Sequence, residues 1–186
     1  MSLDHLIPHA AVEPFSRTEA MEQNDAPRPA TLVYGQAMPY DEAWTLQRSC
    51  CAERAANRCR DLLLLIEHPS FYTLGRTTQD RHWPGEDQLS QETGIPVIRT
   101  ERGGSITYHG PGQLVGYPII RLTDYCAGPK AYVRRLEEVL IDTLAEWGIT
   151  AHRREGLPGV WVGGDRPSKI ASIGVRISQG ITTHGF

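Results

Sequence analysis

Lysine is almost missing from this chain. Of its 19 basic residues only Lys130 and Lys169 are lysine; the rest are arginine. Long apolar runs are missing too. The longest, L-L-L-L-I at 62–66, falls far short of the ~20 residues that a membrane-spanning helix needs. Positive charge is not in excess: a net charge of −3 gives no electrostatic basis for nucleic-acid binding. Cysteine is scarce, and Cys50, Cys51, Cys59 and Cys126 form neither a disulfide framework nor a zinc spacing. They read as free thiols of a reducing cytoplasm. The histidines at 5, 9, 68, 82, 109, 152 and 184 show no metal spacing, and the chain has no internal repeat.

Residues 1–29 carry Asp4, Glu13, Glu19, Glu22, Asp25 and several prolines. Signal and transit peptides need an apolar or an arginine-rich, acid-poor start, so this stretch is expected to be a disordered N-terminal extension. Residues 30–186 have the length of one domain, enough to bury a hydrophobic core.

Within that domain 31–36 reads as a strand and 39–59 as a helix opened by Pro39 and Asp41. A buried strand follows at 62–67, then a loop with extended pieces at 68–76 and a surface loop at 81–88. Short strands are expected at 95–100, 105–109 and 114–122, the last placed at an edge or bulge by Pro118. A second helix begins at Pro129, carries the stripe Val133, Leu136, Leu140, Leu144 and Trp147, and ends at a left-handed Gly148. Four closing strands run to Phe186. Strands and helices mix without strict alternation, which predicts an α/β protein of the α+β type: a mixed sheet with flanking helices.

The most unusual stretch is R-G-G-S-I-T-Y-H-G-P-G-Q, 102–113. Glycine lacks Cβ, so such backbone can close on a ligand and offer bare amides to it. Arg102 would supply a fixed charge at the entrance. Tyr108 and His109 would face opposite sides, one lining a cavity and one packing behind it. The other reading is a turn-rich hairpin without a ligand. Lys169 opens the apolar strand K-I-A-S-I-G-V. A partly desolvated lysine can lose its proton where arginine cannot, so Lys169 reads as an acid/base or thiol-activating group. It reads equally as a surface lysine that snorkels. The arginine pairs at 134–135 and 153–154 read as solvated faces or as a patch for an acidic partner.

Taken in order, R-G-G-S-I-T-Y-H-G-P-G-Q-L-V-G-Y-P, G-V-W-V-G, K-I-A-S-I-G-V-R and T-H-G-F resemble the lipoyl(octanoyl) transferases, from near Thr31 to the last residue. The resemblance implies the catalytic fold shared by biotin and lipoate protein ligases. It implies transfer of an octanoyl group from octanoyl-acyl carrier protein to a lysine of lipoyl domains in 2-oxoacid dehydrogenases or the glycine-cleavage H protein. It implies no ATP, no metal and no other cofactor, no nucleic acid and no membrane, and a cytoplasmic setting. Carried over by position, Arg102, Gly103, Gly104, Ser105, Ile106, Thr107, Tyr108 and His109 form one wall of the acyl site. Ser172, Ile173 and Gly174 form a second, Gly185 and Phe186 begin a third, and Lys169 matches the catalytic lysine. In the implied mechanism a cysteine thiolate takes the acyl group and passes it to the target lysine, with Lys169 lowering the thiol's pKa.

The family's nucleophilic cysteine follows H-G-F in a P-C-G context, beyond Phe186. None of the four cysteines replaces it by position. The domain is therefore expected to be C-terminally incomplete, either a fragment of a longer transferase or a short form that binds acyl groups without forming the thioester. Its last strand is expected to expose an edge and leave the chain aggregation-prone. An ATP-dependent lipoate or biotin ligase is the competing enzyme, and a non-catalytic acyl-binding remnant the competing non-enzyme.

Overall fold

The computed structural model describes residues 30–35, 37–79 and 83–186. The extension at 1–29 lies outside the described residues, as do Arg81 and His82 of the expected 81–88 loop. The chain enters through β1 (Ala30–Gly35) and crosses over α1 (Tyr40–Ala55) into β2 (Asp61–Ile66), which pairs parallel to β1. Helix α1 stops short of the expected residue 59 because Asn57 turns left-handed at φ 56°. Its inward positions Ala43, Gln47, Cys50 and Arg54 recur every three or four residues and lie on the sheet.

Next come β3 (Phe71–Leu74), α2 (Glu86–Thr93), β4 (Val97–Arg99) and β5 (Ile106–His109). Strand β3 lies between β4, parallel to it, and β5, antiparallel. Helix α2 overlaps the stretch expected to be a loop. None of its residues is buried, so it has no apolar stripe to read. Its marks are Glu86 and Asp87 in the first turn and a left-handed Gly94 at the end.

Strand β6 (Val115–Ile119) is buried throughout and pairs antiparallel with β2. Its far side meets β11 (Ile181–Gly185), which in turn pairs antiparallel with β10 (Gly174–Ser178). Gly116 and Phe186 exchange two backbone hydrogen bonds of 2.9 and 3.0 Å. Pro118 has no N–H to offer. There the Thr182 hydroxyl donates to the Pro118 carbonyl (2.7 Å) and accepts from the Ile120 amide (3.1 Å). Strand β6 is therefore neither the edge nor the bulge expected of Pro118: it lies between β2 and β11, its register with β2 is unbroken, and Thr182 bridges where the N–H is missing. The last strand is not the exposed edge expected from the sequence: β11 is buried along its whole length between β6 and β10.

The antiparallel meander β7 (Ala151–Arg154), β8 (Leu157–Val162) and β9 (Ser168–Ala171) follows α3 (Pro129–Glu146). Pro129 opens α3, and Gly148 at φ 74° follows it, as expected. The stripe holds only in part. Leu136 is buried, Val133, Leu140 and Leu144 are half-buried, and Trp147 is 80% exposed, because α3 rests on β7 and β8 through its first turns.

The core lies between α1 and the β1–β2–β6 sheet, from Val33, Leu62, Leu64, Ile66, Val115, Ile119 and Ile181. Each such side chain contributes about 1.5–3 kcal/mol. A second cluster of Leu122, Tyr132 and Leu136 sits under α3, with Ile173 and Phe186 against it.

The β6–β11 junction works only with glycine. A Cβ on Gly185 would overlap the Gly116 carbonyl oxygen and lie 2.7 Å from Pro118 Cδ. Both neighbours are fixed, so Gly185→Ala is expected to lower stability by about 1–3 kcal/mol in urea unfolding. An unchanged midpoint would show that the two strands part without cost.

Candidate active site

A cavity of about 550 Å³ opens where these pieces meet. Its apolar lining includes Leu114 and Val115 before and in β6, Leu140 and Leu144 on α3, and Ile170 on β9. Its polar lining includes Thr73, Arg102, His109, Lys169, Ser172 and His184. A mostly apolar cavity with a few convergent polar groups suits a ligand with a hydrocarbon part and one reactive end.

Of the residues expected at the site, Arg102, Thr107, Tyr108, His109, Lys169, Ser172, Gly174, Gly185 and Phe186 line this cavity. Gly103, Gly104, Ser105, Ile106 and Ile173 are not among its lining residues. Gly103 instead donates its amide to the Val175 carbonyl (2.9 Å) and lets β10 approach; a Cβ on Gly174 would sit 2.8 Å from the Gly103 oxygen. Gly104 is an exposed turn residue at φ 88°. These glycines serve backbone-to-backbone packing around the site. Ile173 joins the apolar cluster under α3.

Arg102 is not at an entrance. It is 7% exposed, and its guanidinium braces the loop from inside. Nη2 donates to Thr73 Oγ1 (2.7 Å), the Thr73 carbonyl (2.8 Å) and the Ser105 carbonyl (2.8 Å). Nη1 donates to the Gly103 carbonyl (2.9 Å) and Nε to Thr73 Oγ1 (3.1 Å). Every acceptor is neutral, and burial lowers the pKa of Arg102 itself. Its charge is therefore a local source of positive potential on the cavity wall.

Alternation along β5 separates Tyr108 from His109. Tyr108 is 40% exposed at the rim, its hydroxyl bonded to Ser70 (3.0 Å) and its ring against Tyr72. His109 turns inward, stacks on Phe71 at 4.7 Å and directs Nε2 at Thr73 Oγ1 (3.1 Å). Burial, then the charge of Arg102, bring its pKa down to about 4. His184 lies in the T-H-G-F stretch that ends β11. It is 3% exposed, stacked on Trp44 at 4.7 Å, and held at φ 56° while its amide donates to Gln47 Oε1 (2.8 Å). Burial, then Arg102, bring its pKa down to about 3, and its Nε2 is buried without a partner.

Lys169 stands at the start of β9 with its ammonium over the Trp161 ring (4.9 Å), donating to the Pro158 carbonyl (2.8 Å). Its stem lies along Gly159, where a Cβ at φ 118° would come 3.3 Å from Cδ and Cε. The residue is exposed, as the surface reading expected, yet desolvation around its stem lowers its pKa, opposed by Glu137. The four thiols are elsewhere: none lines the cavity, and burial raises the pKa of each, Cys50 to about 12. Among the described residues no group of three or more His, Cys, Asp or Glu could hold a metal ion, and no helix is long and apolar enough to cross a membrane.

Tyr40, Thr73, Tyr117 and His184 also line the cavity and were not expected there. Thr73 lies in F-Y-T-L, where period-two alternation could have marked it as inward-facing, but nothing in the sequence ties it to residues 102–109.

Residues 39–186 match the model of the lipoyl protein ligase A/B catalytic domain family. The octanoyltransferase of Gloeobacter violaceus is 48% identical over 156 residues, covering 83% of this chain and 67% of that protein. The octanoyltransferase of Salinispora tropica is 46% identical over 159 residues, covering 84% and 71%. Among solved structures, a lipoate-protein ligase A bound with ATP aligns with a TM-score of 0.57 at 16% identity, over 82% of this chain and 63% of that one. A bipartite lipoate protein ligase from Thermoplasma acidophilum aligns at 0.56 and 16%, over 81% and 58%. At that identity the structural likeness speaks to fold alone. The chain spans about two thirds of the length of those octanoyltransferases and less of the ligase chains.

Proposed function

The chain belongs to the lipoyl protein ligase A/B catalytic domain family, and from that premise we propose that it carries the acyl site of an octanoyltransferase. The reaction moves octanoyl from acyl carrier protein to a lysine of lipoyl domains in 2-oxoacid dehydrogenases or the glycine-cleavage H protein, in the cytoplasm. The observation that carries the reading is one cavity lined both by apolar side chains such as Leu140, Leu144 and Ile170 and by Lys169, His109 and Ser172. The octanoyl chain lies along Leu140, Leu144 and Ile170, each buried methylene contributing about 0.8 kcal/mol. Its carbonyl lies by the polar side chains. A cysteine thiolate, which none of the four thiols present supplies, adds to the thioester carbonyl, and the carrier's thiol leaves. The amine of the target lysine then displaces the enzyme thiol and forms the amide. Lys169, with its pKa lowered, holds and returns the proton between these steps.

The ATP-dependent ligase reading has less support, because the relatives at 46–48% identity are octanoyltransferases and the ligases lie at 16%. Incubating the protein with octanoyl-acyl carrier protein and a lipoyl domain, without ATP, and weighing the lipoyl domain separates the readings. Octanoylation there supports the transferase. Modification only with free octanoate and ATP supports the ligase. Binding of an octanoyl thioester without transfer, by a polypeptide that includes the nucleophilic cysteine, supports an acyl-binding module. In a transferring polypeptide, Lys169→Met is expected to slow transfer by about 10²–10⁴-fold while leaving thioester binding within a few-fold. Equal loss of binding would make Lys169 a structural residue.

A further inference from the structure

We propose that Thr73 is a positioning residue that, held by Arg102, fixes His109 as its Nδ1–H tautomer and so makes the ring a hydrogen-bond donor to the acyl carbonyl in the cavity. The tautomer rests on geometry; the carbonyl as its target rests on the octanoyltransferase reading.

The argument is a count of protons and lone pairs. A threonine hydroxyl has two acceptor sites and one proton to donate. Arg102 directs two N–H groups at Thr73 Oγ1, from Nη2 at 2.7 Å and Nε at 3.1 Å. An arginine has no acceptor and does not lose its protons, so both bonds run toward the threonine oxygen. Nη2 shares its two protons among Oγ1 and the carbonyls of Thr73 and Ser105, so the fork approaches Oγ1 from one side, and the hydroxyl's own proton still needs an acceptor. Its choices are His109 Nε2 at 3.1 Å and the Thr107 carbonyl at 3.5 Å. The shorter contact wins, and a donating hydroxyl requires Nε2 to be bare. The neutral ring then carries its proton on Nδ1.

A protonated ring would place an Nε2–H against an oxygen already facing the Arg102 guanidinium. His109 is also held neutral by burial and by the nearby charges of Arg102 and His68. Nδ1 makes no hydrogen bond to any described residue and is not among the buried unpartnered atoms, so its N–H is open to the cavity that His109 lines. Stacking on Phe71, at 4.7 Å and 14° between ring planes, keeps the ring from turning. A fixed donor in a partly water-excluded cavity favours charge developing on a carbonyl oxygen.

The test is ¹⁵N NMR of the histidine rings in the 186-residue protein at neutral pH, paired with binding of octanoyl-pantetheine to wild type, Thr73→Ser and Thr73→Val. The expected spectrum shows His109 protonated on Nδ1 and bare on Nε2 in wild type and Thr73→Ser. Thr73→Val gains the Nε2–H form and binds the thioester about tenfold more weakly, as the loss of one oriented hydrogen bond implies. Wild-type His109 protonated on Nε2, or on both nitrogens, would overturn the proposal whether or not any variant folds. So would a folded Thr73→Val with wild-type tautomer and affinity. The expected tautomer in a wild-type protein that does not bind octanoyl-pantetheine would support the Thr73 assignment and overturn the carbonyl target, and with it the octanoyltransferase reading.

Discussion

Arg102→Leu is expected to lower the unfolding free energy by about 3 kcal/mol or more, enough to leave a domain of ordinary stability largely unfolded under mild denaturant. The side chain satisfies three backbone carbonyls, of Thr73, Gly103 and Ser105, as well as the Thr73 hydroxyl. A buried acceptor left without a partner costs about 1–3 kcal/mol, and leucine supplies none. One term opposes this. The guanidinium sits 7% exposed with only neutral acceptors, so removing it also relieves the cost of burying a charge. The Ser105 carbonyl keeps the Gly75 amide (3.3 Å), but the Gly103 carbonyl and the Thr73 hydroxyl lose the guanidinium and the loop loses its brace, so the net effect is destabilising. The same loop is stitched from the other side: the Arg76 amide donates to the Arg102 carbonyl (3.0 Å) and the Thr77 amide to the Gly104 carbonyl (3.1 Å). Loss of the brace therefore loosens the turn after β3 together with the start of β5. Arg102→Lys keeps the charge, but one ammonium cannot span acceptors that a planar fork reaches, and an intermediate loss is expected. Urea unfolding followed by tryptophan fluorescence measures both. A leucine variant with the wild-type midpoint would show that the carbonyls find other partners.

What was legible in the sequence was whatever depends on neighbours in the chain. Pro129 and Gly148 bracketed α3 because both act on their own backbone dihedrals. Alternation along 105–109 separated Tyr108 from His109 for the same reason. What was not legible depends on distant partners. Arg102 looked like an entrance charge because a long cation next to glycines suggests solvent. Its direction is set by Thr73, 29 residues earlier in the chain. The stripe on α3 marked Trp147 as inward, yet periodicity says only which residues share a face, not that another element covers it. Helix α2 has no buried side, so its propensity and caps had to carry a signal that a hydrophobic pattern normally carries. His184 owes its place to a left-handed backbone in a buried strand, a conformation uncommon for any residue but glycine and held here by Gln47, 137 residues earlier.

The second large effect is loss of stability in mild acid. His109 and His184 are held neutral, with pKa values of about 4 and about 3 against an ordinary 6.5, and His68 is lowered as well. Burial is the leading cause in all three, and Arg102 is the next for the first two. Their folded-state values lie below the unfolded ones, so the unfolded chain takes protons first. Above pH 6.5 neither state is protonated at these rings and stability is complete. As pH falls from 6.5 toward 4 the unfolded state gains protons that the folded state refuses, and stability is lost across that window. Each histidine contributes a slope of up to about 1.4 kcal/mol per pH unit, so His109 and His184 together lose several kcal/mol by pH 4. Glu53, held low by Arg58, adds nothing here, because its contribution is complete above its ordinary 4.5 and fades only as pH falls through the lower folded value. The urea midpoint is therefore expected to drop between pH 7.5 and pH 5, before the carboxylates titrate, and His184→Gln to flatten the drop. A midpoint unchanged over that interval would mean that the rings reach water and accept protons in the folded protein. The neutral wall of the cavity in mild acid would then have to be given up.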